Sequence, residues 1–133
     1  MPRFAILEHD WPTRHWDLLL EDGDVLKAWR LLAEPVPGSS VAAEPNFDHR
    51  RLYLDYEGPL SGDRGSVMRW DWGEFEWREP TEVTVHGQKL VGTIRLHHGA
   101  TGWVCEVLAV LAVSASGGRQ PPDSEGTSQE SGG

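Results

Sequence analysis

Three residues near the N-terminus, His9, His15 and Asp17, have the types and spacing to do chemistry. His15 and Asp17 are two apart, so in an extended strand their side chains share a face, which continues through Leu19 to Glu21. Trp16, Leu18 and Leu20 then occupy the opposite, wholly apolar face, which is suited to a packed core. If residues 10–14 form the loop of a hairpin, His9 ends the preceding strand directly beside His15, with β-carbons about 5 Å apart. Two imidazoles and one carboxylate can then meet a single cation while leaving coordination positions open, the arrangement of a catalytic rather than a structural centre. Ligand type alone admits Mn²⁺, Zn²⁺ or Fe²⁺. A His-x-Asp pair on a strand also serves as an ordinary surface hydrogen bond. The spacing is not that of the helical H-E-x-x-H motif, whose ligands lie four apart.

These residues need strands to position them, and the chain supplies the pattern. Fifteen Gly and nine Pro interrupt short runs of Val, Leu, Trp, Tyr and Phe. Alternation predicts strands over 3–9, 15–21, 24–31, 51–57, 65–71, 74–78, 82–86, 90–97 and 102–111. Asp22-Gly23 reads as a hairpin turn, and Trp72-Gly73 and His86-Gly87 as further short turns. Residues 34–46 read as a long loop, with room for a helical turn over 39–44. Nine short strands predict an all-β fold, a compact and mostly antiparallel barrel or a sandwich. The domain is expected over 1–113. Residues 114–133 hold five Gly, five Ser and two Pro with no large apolar side chain, and are expected to form a disordered tail.

Composition narrows the function classes. The formal charge of the 133-residue chain is −9, of which the tail contributes only Arg119 against Asp123, Glu125 and Glu130. Such a balance argues against non-specific coating of nucleic acid, which depends on many cations, but is compatible with gripping one phosphate or one divalent ion. The one cysteine, Cys105, rules out an internal disulfide and a multi-cysteine zinc site, and its apolar neighbours suggest a small core residue. No run approaches the length of a membrane span and no secretion signal precedes Phe4, so a cytoplasmic protein without membrane partners is expected. Trp70, Trp72 and Trp77 could stack on bases or pack the core, Trp70 and Trp72 sharing a face. His97-His98 reads as a hairpin rim.

The run from Phe4 to Trp29, F-A-I-L-E-H, five residues, then H-W-D-L-L-L-E-D-G-D-V-L-K-A-W, resembles the opening of the 3′-phosphoesterase domain of bacterial DNA ligase D. Tyr56-Glu57-Gly58 and Gly65-Ser66-Val67-Met68-Arg69-Trp70-Asp71-Trp72-Gly73 are similar to that family's Y/F-E-G and G-x-V-x-x-W-D-x-G blocks, and 83–96 to its late strand pair. The resemblance implies a compact β-barrel that removes 3′-terminal phosphates and ribonucleotides from DNA ends with Mn²⁺ during break repair. It implies metal binding by His9, His15 and Asp17, and functional roles for Arg51, Glu57 and Glu21. Arg51 is the first candidate to hold phosphate oxygens, with Arg14, Arg50 and Arg64 as substitutes. Arg64 lies in Gly62-Asp63-Arg64-Gly65, which is also an ordinary hairpin turn. Separate ligase or polymerase proteins would be the partners, the chain reading as a short, stand-alone version of the domain.

Several family features have no match. Leu19 stands where an Arg is usual, no Lys follows near Leu32 or Ala33, and an N-terminal arm is missing. Glu57 runs at once into Gly58-Pro59, so the E-D-H-P-x-x-Y element reads as deleted, with His49 either replacing its His or lying in a solvated loop. Three readings follow: a phosphoesterase acting on DNA 3′ ends, a non-catalytic module of the same fold that binds an end or a partner, and a phosphoesterase for a smaller substrate.

Overall fold

The computed structural model describes residues 1–112; the tail expected over 114–133 lies outside them. The order is β1 (Arg3–His9), β2 (His15–Asp22), β3 (Val25–Leu31), β4 (Ser40–Arg50), a 3₁₀ turn (Arg51–Leu54), β5 (Gly58–Pro59), β6 (Ser66–Glu79), β7 (Glu82–Gly87), β8 (Leu90–Gly99) and β9 (Gly102–Leu111). Eight antiparallel strands form a closed barrel in the order β1-β2-β3-β4-β9-β8-β7-β6, with β6 returning to pair with β1. The two-residue β5 adds to β6. Closure leaves little free sheet edge of the kind that invites aggregation.

The alternation of β2 separates two apolar compartments. Trp16, Leu18 and Leu20 point into the barrel, where they join Phe4, Ile6 and Phe75. Leu19 points outward and is fully buried in a second cluster with Ala5, Leu7, Leu26, Leu54 and Val67. Leu54 of the 3₁₀ turn seals this cluster, flanked by Tyr53 and Tyr56. The expected strand over 51–57 is therefore this turn and a loop. The place beside β3 is filled instead by β4, where a loop was expected. Pro45 and Asn46 disguise that strand, but β4 contacts β9 only through residues 40–43. Beyond Ala43 it has a single neighbour, which is where a strand tolerates proline.

The expected pair 65–71 and 74–78 is one continuous strand, and Trp72-Gly73 is not a turn. Its register against β1 slips between Ile6 and Leu7, leaving Trp70 as the extra residue. The bulge changes the alternation. Trp70 enters the barrel core while Trp72 joins the outer cluster, so the two do not share a face.

Asp71, fully buried beside the bulge, accepts hydrogen bonds from the backbone N–H groups of Trp72, Gln88, Lys89 and Leu90 at 2.7–2.9 Å. It thereby ties the β7–β8 turn to β6. Gly87 is required there, because a β-carbon would run into the Asp71 carboxylate. Asp71→Ala would leave four amides without their acceptor and should lower the unfolding free energy by about 3 kcal/mol or more in urea titrations. Cys105 is fully buried, and burial, with a smaller contribution from Glu106, pushes its thiol up to about 12. It should resist thiol reagents at pH 8 in the native protein and react fully in denaturant.

Candidate metal centre

The β1–β2 pairing places His9 opposite His15. Both side chains and Asp17 lie on the outer wall of the barrel, on the same face of the sheet as Leu7 and Leu19. The ligand atoms of the three residues lie within 4.8 Å of one another. His15 is 2% and Asp17 7% exposed. The His15 Nε2 stands 3.2 Å from Asp17 Oδ1, and His9 Nδ1 stands 3.6 Å from Asp17 Oδ2.

Hydrogen bonds on the far side of each ring orient the imidazoles. His15 Nδ1 donates to the Thr13 carbonyl at 2.9 Å, and His9 Nε2 donates to the Arg64 carbonyl at 2.8 Å. In neutral rings this leaves the lone pairs of His15 Nε2 and His9 Nδ1 facing the carboxylate. The buried His15 Nε2 has no hydrogen-bond partner, its approach to Asp17 lacking the alignment of one. Two nitrogen lone pairs and a carboxylate converging in a buried place fit a divalent cation, which satisfies all three at once. Without an ion, a proton can take part of that role. Burial disfavours the charged His15 ring, but Asp17 and the Thr13 carbonyl outweigh it, and its pKa is raised.

The turn that holds His9 is itself clasped. Asp10 Oδ1 accepts from the Ser66 N–H at 2.8 Å, a bond that holds the Asp10 carboxyl below its ordinary value. Gly65 has a φ of +75°, and a β-carbon there would strike Asp10 and Trp11. The tetrapeptide Gly62-Asp63-Arg64-Gly65 is thus both a turn and part of the support that orients His9.

The triad opens into a cavity of about 380 Å³. Its walls carry the cations Arg30, Arg50 and Arg64 and the side chains of His49 and Tyr53. Arg30 lies opposite Asp17 on the neighbouring strand. Its buried Nε has no hydrogen-bond partner, and it has no ion pair among the described residues. The Arg64 guanidinium folds onto Ser61, while Arg50 lies 6.0 Å over the Tyr53 ring. A wider groove of about 720 Å³ shares Asn46 and Asp48 with this cavity. It holds no group of metal-ligating side chains among the described residues, and its Lys27 and Arg78 are paired with Asp48 and Glu76.

The other expected site residues lie outside the cavity wall. Arg51 pairs with Glu21, which also accepts the Arg3 N–H at 2.8 Å. The Arg3 amide and then the Arg51 guanidinium hold the Glu21 carboxyl below its ordinary value. Glu57 accepts the Arg69 N–H at 2.8 Å beside the bulge. Arg14 pairs with Glu8 at 2.8 Å and covers the Trp16 ring. His97 and His98 sit at the end of β8, the former 3.4 Å from Glu106.

The family model of the DNA ligase D 3′-phosphoesterase domain matches residues 7–100. The chain belongs to this family. No curated protein matches it.

Within the family frame, the cavity corrects one part of the sequence reading. The E-D-H-P-x-x-Y element is not deleted. Asp48-His49-Arg50-Arg51-Leu52-Tyr53 keeps its D-H and Tyr at the same spacing, upstream of Glu57, and His49 and Tyr53 both line the cavity. The prolines of 34–46 and the taking of 51–57 for a strand concealed it. Arg30 was also missed, although an Asp22-Gly23 hairpin in which Asp22 faces Val25 places residue 30 across from Asp17.

A divalent cation, Mn²⁺ or Zn²⁺, is expected to raise the unfolding temperature of the protein by mass action. Asp17→Asn should remove most of that rise, as measured in thermal denaturation with and without EDTA.

Proposed function

We propose that this protein is a Mn²⁺-dependent phosphoesterase that removes terminal phosphate or a terminal ribonucleotide from the 3′ ends of DNA. The observation that carries the reading is the convergence of two imidazole nitrogens and the Asp17 carboxylate in one cavity with three guanidinium-bearing residues. Family membership supports a role at DNA ends.

His9, His15 and Asp17 would hold the ion. When bound, it supplies Lewis-acid stabilisation of a phosphoryl oxygen and acidifies a water. Arg30 and Arg50, with Arg64 released from Ser61, hold the remaining phosphate oxygens as charge develops. Arg30 takes over the task of the family Arg whose position is Leu19, because both positions lie beside Asp17 on the outer face. Leu19 itself closes the apolar cluster below. His49 donates its Nδ1 proton to the Phe47 carbonyl at 2.8 Å, which leaves Nε2 as the atom that exchanges a proton with the substrate. Arg51 and Glu21 anchor the turn that carries Tyr53, Glu57 fixes the strand beside it, and Arg14 supports the loop between the two His. In this role they are positioning residues. No helix among the described residues is long and apolar enough to cross a membrane. We place the activity in the cytoplasm, in break repair.

Purified protein with Mn²⁺ and a 3′-phosphorylated primer-template should release phosphate, and EDTA should stop it. Arg30→Ala should lower kcat by about a hundredfold, and His15→Ala should abolish turnover. Equal turnover by wild type and His15→Ala would show that the metal reading is wrong. The Leu19 substitution favours a second reading, a module that binds ends without hydrolysis. That reading would show as Mn²⁺ and DNA binding with no phosphate released.

A further inference from the structure

Phe47 occupies the position of the Glu in the E-D-H-P-x-x-Y element, yet it is 75% exposed. Its surroundings are polar, with Asn46, Asp48 and His49 beside it, so it is not part of an apolar patch of the kind that docks another protein. It is nevertheless held in place. The Phe47 N–H donates to Asn46 Oδ1 at 2.9 Å, and its carbonyl accepts from His49 Nδ1 at 2.8 Å. The ring lies nearly parallel to the His49 imidazole, 14° between planes with centroids 5.1 Å apart. His49 in turn meets Tyr53 edge-on at 6.0 Å, which continues the aromatic column toward the outer apolar cluster. A second exposed aromatic, Trp11 at 44%, lines the same cavity from the β1–β2 loop.

We propose that Phe47, backed by His49, is the stacking platform for the base of the 3′-terminal nucleotide. The inference rests on the phosphoesterase reading for the position of the phosphate. A base and its own 3′-phosphate are joined through one sugar, so a platform for the first must share a cavity with the groups that hold the second. Phe47, Arg50 and Arg64 do share one. Charge leads to the same conclusion. The chain carries a formal −9, and Arg3, Arg14, Lys27 and Arg51 are each paired with a carboxylate, so attraction to a long phosphate backbone is weak. Affinity must then come from the terminal nucleotide itself. Stacking on an aromatic ring is insensitive to base identity because every base has a π-face. The platform therefore reads the presence of a base and not its identity.

The test compares kcat/KM, with Mn²⁺, for a 3′-phosphorylated single-stranded oligonucleotide and for the same strand ending in an abasic 3′-phosphate. Wild type should favour the base-bearing strand by about tenfold or more, chiefly through KM. Phe47→Ala should erase that preference, and Phe47→Trp should restore it. A terminal 2-aminopurine should be quenched on binding in EDTA by wild type and Phe47→Trp but not by Phe47→Ala, a readout that does not require turnover. Quenching that depends on Phe47 without phosphate release would remove the phosphoesterase reading and leave the platform. Equal losses on both strands in Phe47→Ala, unchanged preference, or no quenching by wild type would each overturn the platform.

Discussion

The register of β1 against β2 is the constraint from which the site follows. Because the strands are antiparallel and His9 pairs with His15, both imidazoles project from the same side of the barrel wall. Asp17, two residues further along, shares that side. A slip of β2 by one residue would send His15 and Asp17 into the apolar interior, away from His9, and bring Trp16, Leu18 and Leu20 out to water. The burial of those three side chains is therefore what fixes the polar triad in place. The same register aligns Ala5 and Leu7 with Leu19, which forms the apolar floor beside the triad. Hydrophobic burial and site geometry are set by one pairing.

Around this hairpin, each structural device fixes a different part of the cavity. The turn before β6 offers the Arg64 carbonyl to His9, and Asp10 clasps it through Ser66. The bulge at Trp70 lets β6 close the barrel while keeping Trp72 on the outer side. The half of β4 beyond Ala43 has only β3 as a neighbour, and it delivers Phe47 and His49 to the rim. The 3₁₀ turn that follows inserts Leu54 as a plug and brings Tyr53 alongside. The cavity is thus assembled from four stretches separated in sequence: the β1–β2 hairpin, Arg30 of β3, residues 46–53 and residues 60–67.

How much of this was legible in the chain depended on how strongly each segment alternates. β1, β2, β3, β8 and β9 alternate clearly, and their expected limits agree with the structure to within two residues. The His9–His15–Asp17 grouping was readable because it depends only on one hairpin and the two-residue period. β4 was not readable, since small residues, Pro45 and Asn46 give it little apolar pattern, and its pairing with β3 and β9 is a long-range property. The consequence propagated: with β4 taken as loop, Asp48, His49 and Tyr53 lost their setting. Trp70 was misassigned because a bulge leaves no mark in a pattern that assumes strict alternation. Arg30, by contrast, was within reach of simple register counting from the Asp22-Gly23 turn.

The triad sits on the outside of the barrel, with the packed lumen behind it, and this separates two kinds of evolutionary freedom. The side chains inside, such as Phe75, Ile94 and Val107, never meet solvent or the ligands. They can be exchanged for others of equal volume while the outer wall keeps its form. The outer wall can in turn vary its rim, as the aromatic at 47 and the leucine at 19 illustrate, while the lumen stays packed. A lineage could in this way drift in sequence until little overall likeness remained, and still present the same few polar groups in the same places.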